Sequence, residues 1–206
     1  MSEKHTDDLA EIRNMMERSS RFISLSGLSG VVAGLAALQT SVGVYFMFYN
    51  YGINYFDGKR NVYPAELTNR LLIYASITLI LALAAGIFFT VRKSKQNQLP
   101  IWTRTTKQLL IALFIPLVAG GIFCLALLYH GSFYLIAPAT LVFYGLALIN
   151  AGKYTYGDIK NLGICEIILG LISMFVVGYG LIFWAIGFGI LHIVYGIVMY
   201  KKYDVV

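Results

Sequence analysis

The sequence predicts an all-α, polytopic membrane protein with six transmembrane helices and a short N-terminal amphipathic helix. Three observations carry this. Only 13% of the 206 residues are charged and 58% are hydrophobic, whereas a soluble domain uses about 25% charged residues to solvate its surface. The apolar residues gather in charge-free runs of bilayer length, and mean hydropathy is +0.72. The basic residues return at the ends of those runs, and they favour one side of the bilayer.

A helix needs about 20 apolar residues to cross the hydrocarbon core. The first run is Phe22 to Phe48, free of charge throughout. The second is Leu71 to Val91, stopped by Arg92 and Lys93. The third is Leu109 to Tyr129, with Pro116 inside, and the fourth is Phe133 to Ala151, with Pro138 inside. Lys160 to Lys201 is a single apolar run broken only by Glu166 and His192. As one helix it would be about 60 Å long, two bilayer thicknesses. It must therefore fold back, and Gly178-Tyr179-Gly180 is the natural hairpin.

Charge placement tests the count independently. With six crossings, thirteen of the 16 Lys and Arg fall on one side. They are Lys4, Arg13, Arg18 and Arg21 in the tail, and Arg92, Lys93, Lys95, Arg104 and Lys107 between helices two and three. Lys153, Lys160, Lys201 and Lys202 complete the set. Only Lys59, Arg60 and Arg70 oppose them. Cytoplasmic loops hold the excess of basic residues, so both termini are expected inside. Tyr and Trp residues cluster at both predicted headgroup levels, as Tyr45, Tyr49 and Tyr63 do outside and Trp102, Tyr154 and Tyr156 inside. The net charge of +6 thus suits anionic lipid, and no basic face interleaved with aromatics suggests nucleic acid.

The chain divides into a cytoplasmic tail, 1–21, and a six-helix domain, 22–206. Residues 6 to 20 read as an interfacial helix: Thr6 as N-cap, Asp7 and Asp8 in the first turn, and Leu9, Ile12 and Met16 on one face. The same tail is the alternative docking site for a cytoplasmic partner. It does not read as a secretory signal peptide, because it is too acidic and the apolar run after it is too long. Cys124 and Cys165 are expected at opposite depths, as free thiols. The outer loop, Asn50 to Asn69, carries the turn signal Asp57-Gly58 and is too short for a domain.

Small residues mark the packing faces. Gly30 and Gly34 form G-x-x-x-G on helix one, and Gly27 extends the stripe. Such a stripe lets backbones approach closely in lipid, within one chain or between two copies. Val142 to Leu148 and Ile193 to Met199 share a Tyr-Gly core, a faint hint that hairpins three-four and five-six are parallel repeats.

Ionisable residues inside a membrane are costly and mark candidate sites. Glu166 and His192 lie equally far from the hairpin at Tyr179, so antiparallel helices bring them to the same depth. Tyr195, Tyr144 and Asn150 are expected at similar depth as further hydrogen-bonding groups. The set reads as a proton-accepting or ligand-binding site open to the cytoplasmic side, as a structural pair locking hairpin five-six, or as two separate groups, with Glu166 reaching Arg21 and His192 bonding a carbonyl. No P-loop, H-E-x-x-H or C-x-x-C motif is present. Hence no catalytic residue, metal site or cofactor is assigned.

Glu11 to Gly30 resembles the opening of a family of small bacterial membrane proteins of the Bacteroidota type, and Gly187 to Gly196 resembles its ending. The resemblance implies full-length six-helix topology and an inner-membrane location, and it brings no activity. The reading is therefore an inner-membrane protein without an enzyme active site, serving as an accessory, stress-response or small-solute-handling component. Its partners would be membrane lipids, with a homo-oligomer or protein partner through helix one or the tail. A proton-coupled transporter or channel using Glu166 and His192 is the first alternative. An intramembrane enzyme with a lipid-like substrate, needing a lateral opening near Tyr195, is the second.

Overall fold

Six long helices follow one another in a computed structural model that describes residues 22–53 and 63–204. They are α1 (Gly27–Asn50), α2 (Ala65–Gln96), α3 (Arg104–Tyr129), α4 (Ile136–Ala151), α5 (Gly157–Phe175) and α6 (Gly180–Tyr203). A 3₁₀ turn, Phe133–Leu135, leads into α4. Among the described residues there is no strand. The expected tail helix at 6–20 and the Asp57-Gly58 turn lie outside the described residues.

Five of the helices are long and apolar enough to cross a membrane: α1, α2, α3, α4 with its 3₁₀ turn, and α6. The remaining one, α5, has 19 residues and carries Asp158, Lys160 and Glu166. The bundle is greasy outside as well as inside. Ile80, Ile87, Ile115, Ile122 and Phe175 are each more than 60% exposed, which is the pattern of a surface solvated by lipid rather than water.

Boundaries differ from expectation at the two ends of the first hairpin. Helix α1 starts at Gly27 rather than Phe22, because the preceding segment is used for hydrogen bonds to another loop. Helix α2 starts at Ala65, after Pro64, and runs past Arg92 and Lys93 to Gln96. Its 32 residues span about 48 Å, more than the roughly 30 Å hydrocarbon core. Both ends of α2 are polar, and the first turn is braced by Arg70 to Glu66 at 2.9 Å. Thr103 begins α3 with a reciprocal capping box to Thr106. Pro116 is accommodated inside α3, while Pro138 sits in the first turn of α4, where its missing N–H costs little. The long apolar run does fold back between Phe175 and Gly180. Gly178, at φ +94°, supplies the left-handed residue of that turn.

Helix α1 packs between α2 and α6, and α4 packs between α3 and α5. The two three-helix groups meet where α6 touches α4 and α5. Hairpin α3–α4 is therefore closely packed and hairpin α5–α6 is not, which is unlike the arrangement two parallel repeats would give. Glycines set both tight seams. A methyl group on Gly145 would come 2.6 Å from the Gly163 carbonyl oxygen, and one on Gly163 would come 2.7 Å from the Gly145 oxygen. Gly27, Gly30 and Gly34 lie against the α6 backbone at Gly196, His192 and Gly189. The small-residue face of α1 is thus occupied within the chain.

One end of the bundle is tied by polar contacts. Lys93 Nζ lies 2.6 Å from Asp204 Oδ1 and donates to the Leu25 carbonyl at 2.9 Å. The other Asp204 oxygen accepts from Ser26 Oγ at 2.7 Å and from the Gly27 N–H at 3.1 Å, capping the start of α1. Phe22 N–H donates to Tyr154 O, and Thr155 Oγ1 donates to Phe22 O, both at 2.7 Å. Tyr156 donates to Ile23 O and stacks on Tyr203, with centroids 3.8 Å apart. Asp158 accepts from Tyr203 at 2.7 Å and from Lys202 at 3.1 Å. These bonds hold both described ends of the chain at the same end of the bundle, together with Lys93, Lys201 and Lys202.

Candidate functional site

Three polar residues of the apolar helices come together at the middle of their helices. Glu166 is at the centre of α5, His192 at the centre of α6 and Tyr144 at the centre of α4. Helix α5 begins at Gly157, ahead of the apolar run itself, so Glu166 has about equal lengths of helix on either side.

Helix α6 changes register just before His192. Ala185–Leu191 is π-helical, a local widening that recurs at functional sites. His192 follows it, and its Nδ1 is 2.9 Å from the Gly187 carbonyl oxygen five residues back. A carbonyl oxygen only accepts, so Nδ1 carries a proton and donates to it. Nε2 is 2.8 Å from the Tyr144 hydroxyl. It accepts that hydroxyl's proton while the ring is neutral and donates to the hydroxyl oxygen when the ring is charged. Phe188 packs beside both rings, 5.0 Å from Tyr144 and 5.8 Å from His192 by centroid, and fixes their relative tilt.

Glu166 stands behind the imidazole. Its Oε1 is 3.4 Å from Nδ1, but the Nδ1 proton is directed at Gly187. The side chain is 0% exposed, and neither carboxyl oxygen has a hydrogen-bond partner among the described residues. Buried polar atoms are nearly always paired, so an exception of this kind marks strain or function. Gly187 makes the room: a side chain there would collide with the Glu166 carboxyl group. Tyr144, His192 and Glu166 therefore lie side by side across three helices, with a hydrogen bond between the first two and a contact of 3.4 Å between the last two.

Two predicted members stand apart. The Tyr195 hydroxyl is 3.9 Å from Cys165 Sγ, and its ring packs on the cluster of Leu148, Ile159, Leu162 and Met199. Asn150 lies six residues beyond Tyr144 on α4, about 9 Å along the axis, too far to join the three. Residues the sequence reading missed are Gly187, Phe188 and the ion pair Lys93–Asp204. Only the glycine-rich stretch Gly187-Phe-Gly189 beside a buried histidine gave any signal, and Lys93 read simply as an orienting charge. Both cysteines are free thiols. Among the described residues no three His, Cys, Asp or Glu side chains gather as a metal site would require.

The Tyr144–His192 side of the site faces a large crevice. It has a volume of about 1110 Å³ and runs the height of the bundle, from Leu25 at the Lys93 end to Phe133 at the other. Helices α2 and α3 form its outer walls, and α1, α4 and α6 form its floor. Tyr144, His192 and Tyr195 all line it. It exists because α2 and α3, consecutive in the chain, do not pack along one another. Comparison with protein-family models, with curated proteins and with solved structures finds no match for this chain.

Proposed function

We propose that the chain is a six-helix protein of a bacterial inner membrane, with both termini in the cytoplasm, in which Tyr144, His192 and Glu166 hold and pass a proton. This places it in the class of small-solute-handling membrane proteins, with proton coupling as its mechanism. The carrying observation is the buried chain from the Tyr144 hydroxyl through His192 to a carboxyl group without a hydrogen bond. A purely structural pair gains its stability from hydrogen bonds between the partners, and Glu166 makes none with His192. Support for the topology comes from the basic residues gathered at the end where Asp204 meets Ser26.

The test is proton uptake into proteoliposomes under a potassium diffusion potential, at several pH values. Glu166→Gln keeps the shape of the side chain and removes its titration. Loss of pH-dependent uptake with an unchanged melting temperature is expected. Unchanged uptake with a lowered melting temperature would make the pair structural. A second reading, an enzyme acting on a lipid-like substrate with His192 as base, is favoured by one observation: the crevice gives lateral access beside Tyr195 and His192. Conversion of a lipid by the purified protein, lost in His192→Gln, would establish it.

A further inference from the structure

We propose that the crevice between α2 and α3 seats one long-chain, uncharged amphiphile, whose hydroxyl head donates to the Tyr144 oxygen beside His192. The inference rests on the membrane reading above and names the ligand class of the same polar centre.

Four features point to this occupant. The first is size: about 1110 Å³ is at or above the roughly 300–1,000 Å³ typical of small-molecule sites. The crevice also runs the length of the bundle, as a lipid chain does. The second is charge. No Asp, Glu, Lys or Arg lines it, so a phosphate or carboxylate head would have no cation to meet.

The third feature is depth. His192 and Tyr144 are at the centres of their helices, about 15 Å from either bilayer surface if the helices span it. A charged head is strongly disfavoured there, whereas a neutral oxygen needs one hydrogen bond. Tyr144 and His192 are a hydrogen-bonded polar pair lining the space at this depth, and Glu166, fully buried and unbonded among the described residues, backs them. The fourth is the shape of the walls. Gly86 on α2 and Gly121 on α3 both line the crevice, and a methyl group on either would meet nothing within 4 Å. Neighbouring helices joined by a short loop ordinarily interdigitate. Here the space at these two positions is left for something that is not protein.

The experiment uses the full chain in phosphatidylcholine vesicles and two probes: hexadecanol and hexadecane, each carrying a diazirine in the chain. Photolabelling by the hexadecanol probe is expected on peptides of α2 and α3. Unlabelled hexadecanol should suppress it and hexadecyl phosphate should not. Gly121→Trp, which grows into open space, should abolish labelling by both probes while circular dichroism and melting stay as in the native chain. Tyr144→Phe should weaken hexadecanol labelling about fivefold, the loss of one hydrogen bond, and leave hexadecane labelling unchanged. Native-level labelling in Gly121→Trp overturns the proposal, because the crevice is then ordinary annular lipid space. Suppression by hexadecyl phosphate, or equal loss of both probes in Tyr144→Phe, overturns the assignment of an uncharged head. Loss of proton uptake in Glu166→Gln is scored separately, so the proton reading and the ligand reading can fail independently.

Discussion

Tyr156 sits in the loop before α5, where its hydroxyl donates to Ile23 O and its ring stacks on Tyr203. Burial first, then the neighbouring charge of Asp204 and the phenol of Tyr203, push its ionisation from 10 up to about 12. A raised phenol pKa means the folded chain holds this proton more tightly than the unfolded one. The resulting stability is complete below about pH 10 and is lost as pH rises towards 12. Melting temperature measured in detergent between pH 9 and 12 should therefore fall more steeply in the native protein than in Tyr156→Phe. Parallel curves would show that the inner-end contacts do not depend on this proton. At the same scale, Glu166 and His192 were legible in the sequence because an ionisable residue in an apolar run is conspicuous. Their partner Gly187 was not. Its carbonyl reaches His192 only because α6 widens by one residue per turn there, and nothing in a 3.6-residue pattern foretells a π segment. The partner of Lys93 was hidden for a similar reason. As a charge at a helix end Lys93 looked topogenic, and its acceptor Asp204 is remote in sequence.

Among the elements, glycine content alone says little, and position within the packing says much. Gly145 and Gly163 face one another across the α4–α5 seam, each with the other's carbonyl where a side chain would go. Gly86 in the middle of α2 has open space instead. The two classes predict opposite signs for the same substitution. Gly145→Ala must force the helices apart, which costs about 1–3 kcal/mol by analogy with overpacked cores, and should lower the melting temperature. Gly86→Ala meets nothing and removes the conformational penalty of a helical glycine, about 1 kcal/mol, so it should leave the melting temperature unchanged or raise it. A fall in both would mean that α2 lies against α3 at Gly86, with no open space beside it. The sequence could not separate these cases, because both glycines sit in similar apolar surroundings. It did place the helices themselves, because bilayer-length apolar runs and their charged ends are long-range signals that survive boundary errors of a few residues. The extra turns of α2 were missed because the charged residues at its ends were taken as stops, although long polar side chains tolerate the helical conformation well.

For the whole molecule, the decisive arrangement is that Phe22 and Asp204 are tied to one end of the bundle through Tyr154 and Ser26. A chain with an odd number of crossings has its ends on opposite sides of the bilayer. Six crossings, with the 19-residue α5 and its three charges among them, would put them on one. The polar residues of α5 do not preclude crossing: Asp158 is in its first turn, bonded to Tyr203 and Lys202, and Glu166 faces the interior rather than lipid. Single cysteines in a Cys124→Ser, Cys165→Ser background provide the test, read with a membrane-impermeant maleimide on intact cells and after permeabilisation. Ser132→Cys, in the turn between α3 and α4, should label on intact cells. Lys153→Cys, between α4 and α5, should label only after permeabilisation, and so should Lys201→Cys at the end of α6. If Lys153→Cys and Lys201→Cys fall on opposite sides, the α5–α6 hairpin does not cross and return. The mid-membrane position of Glu166 and His192 would fail with it. If all three agree, the proton-bearing chain lies where only a protonated or paired carboxyl group is tolerated, and that depth then becomes the physical ground for coupling it to transport.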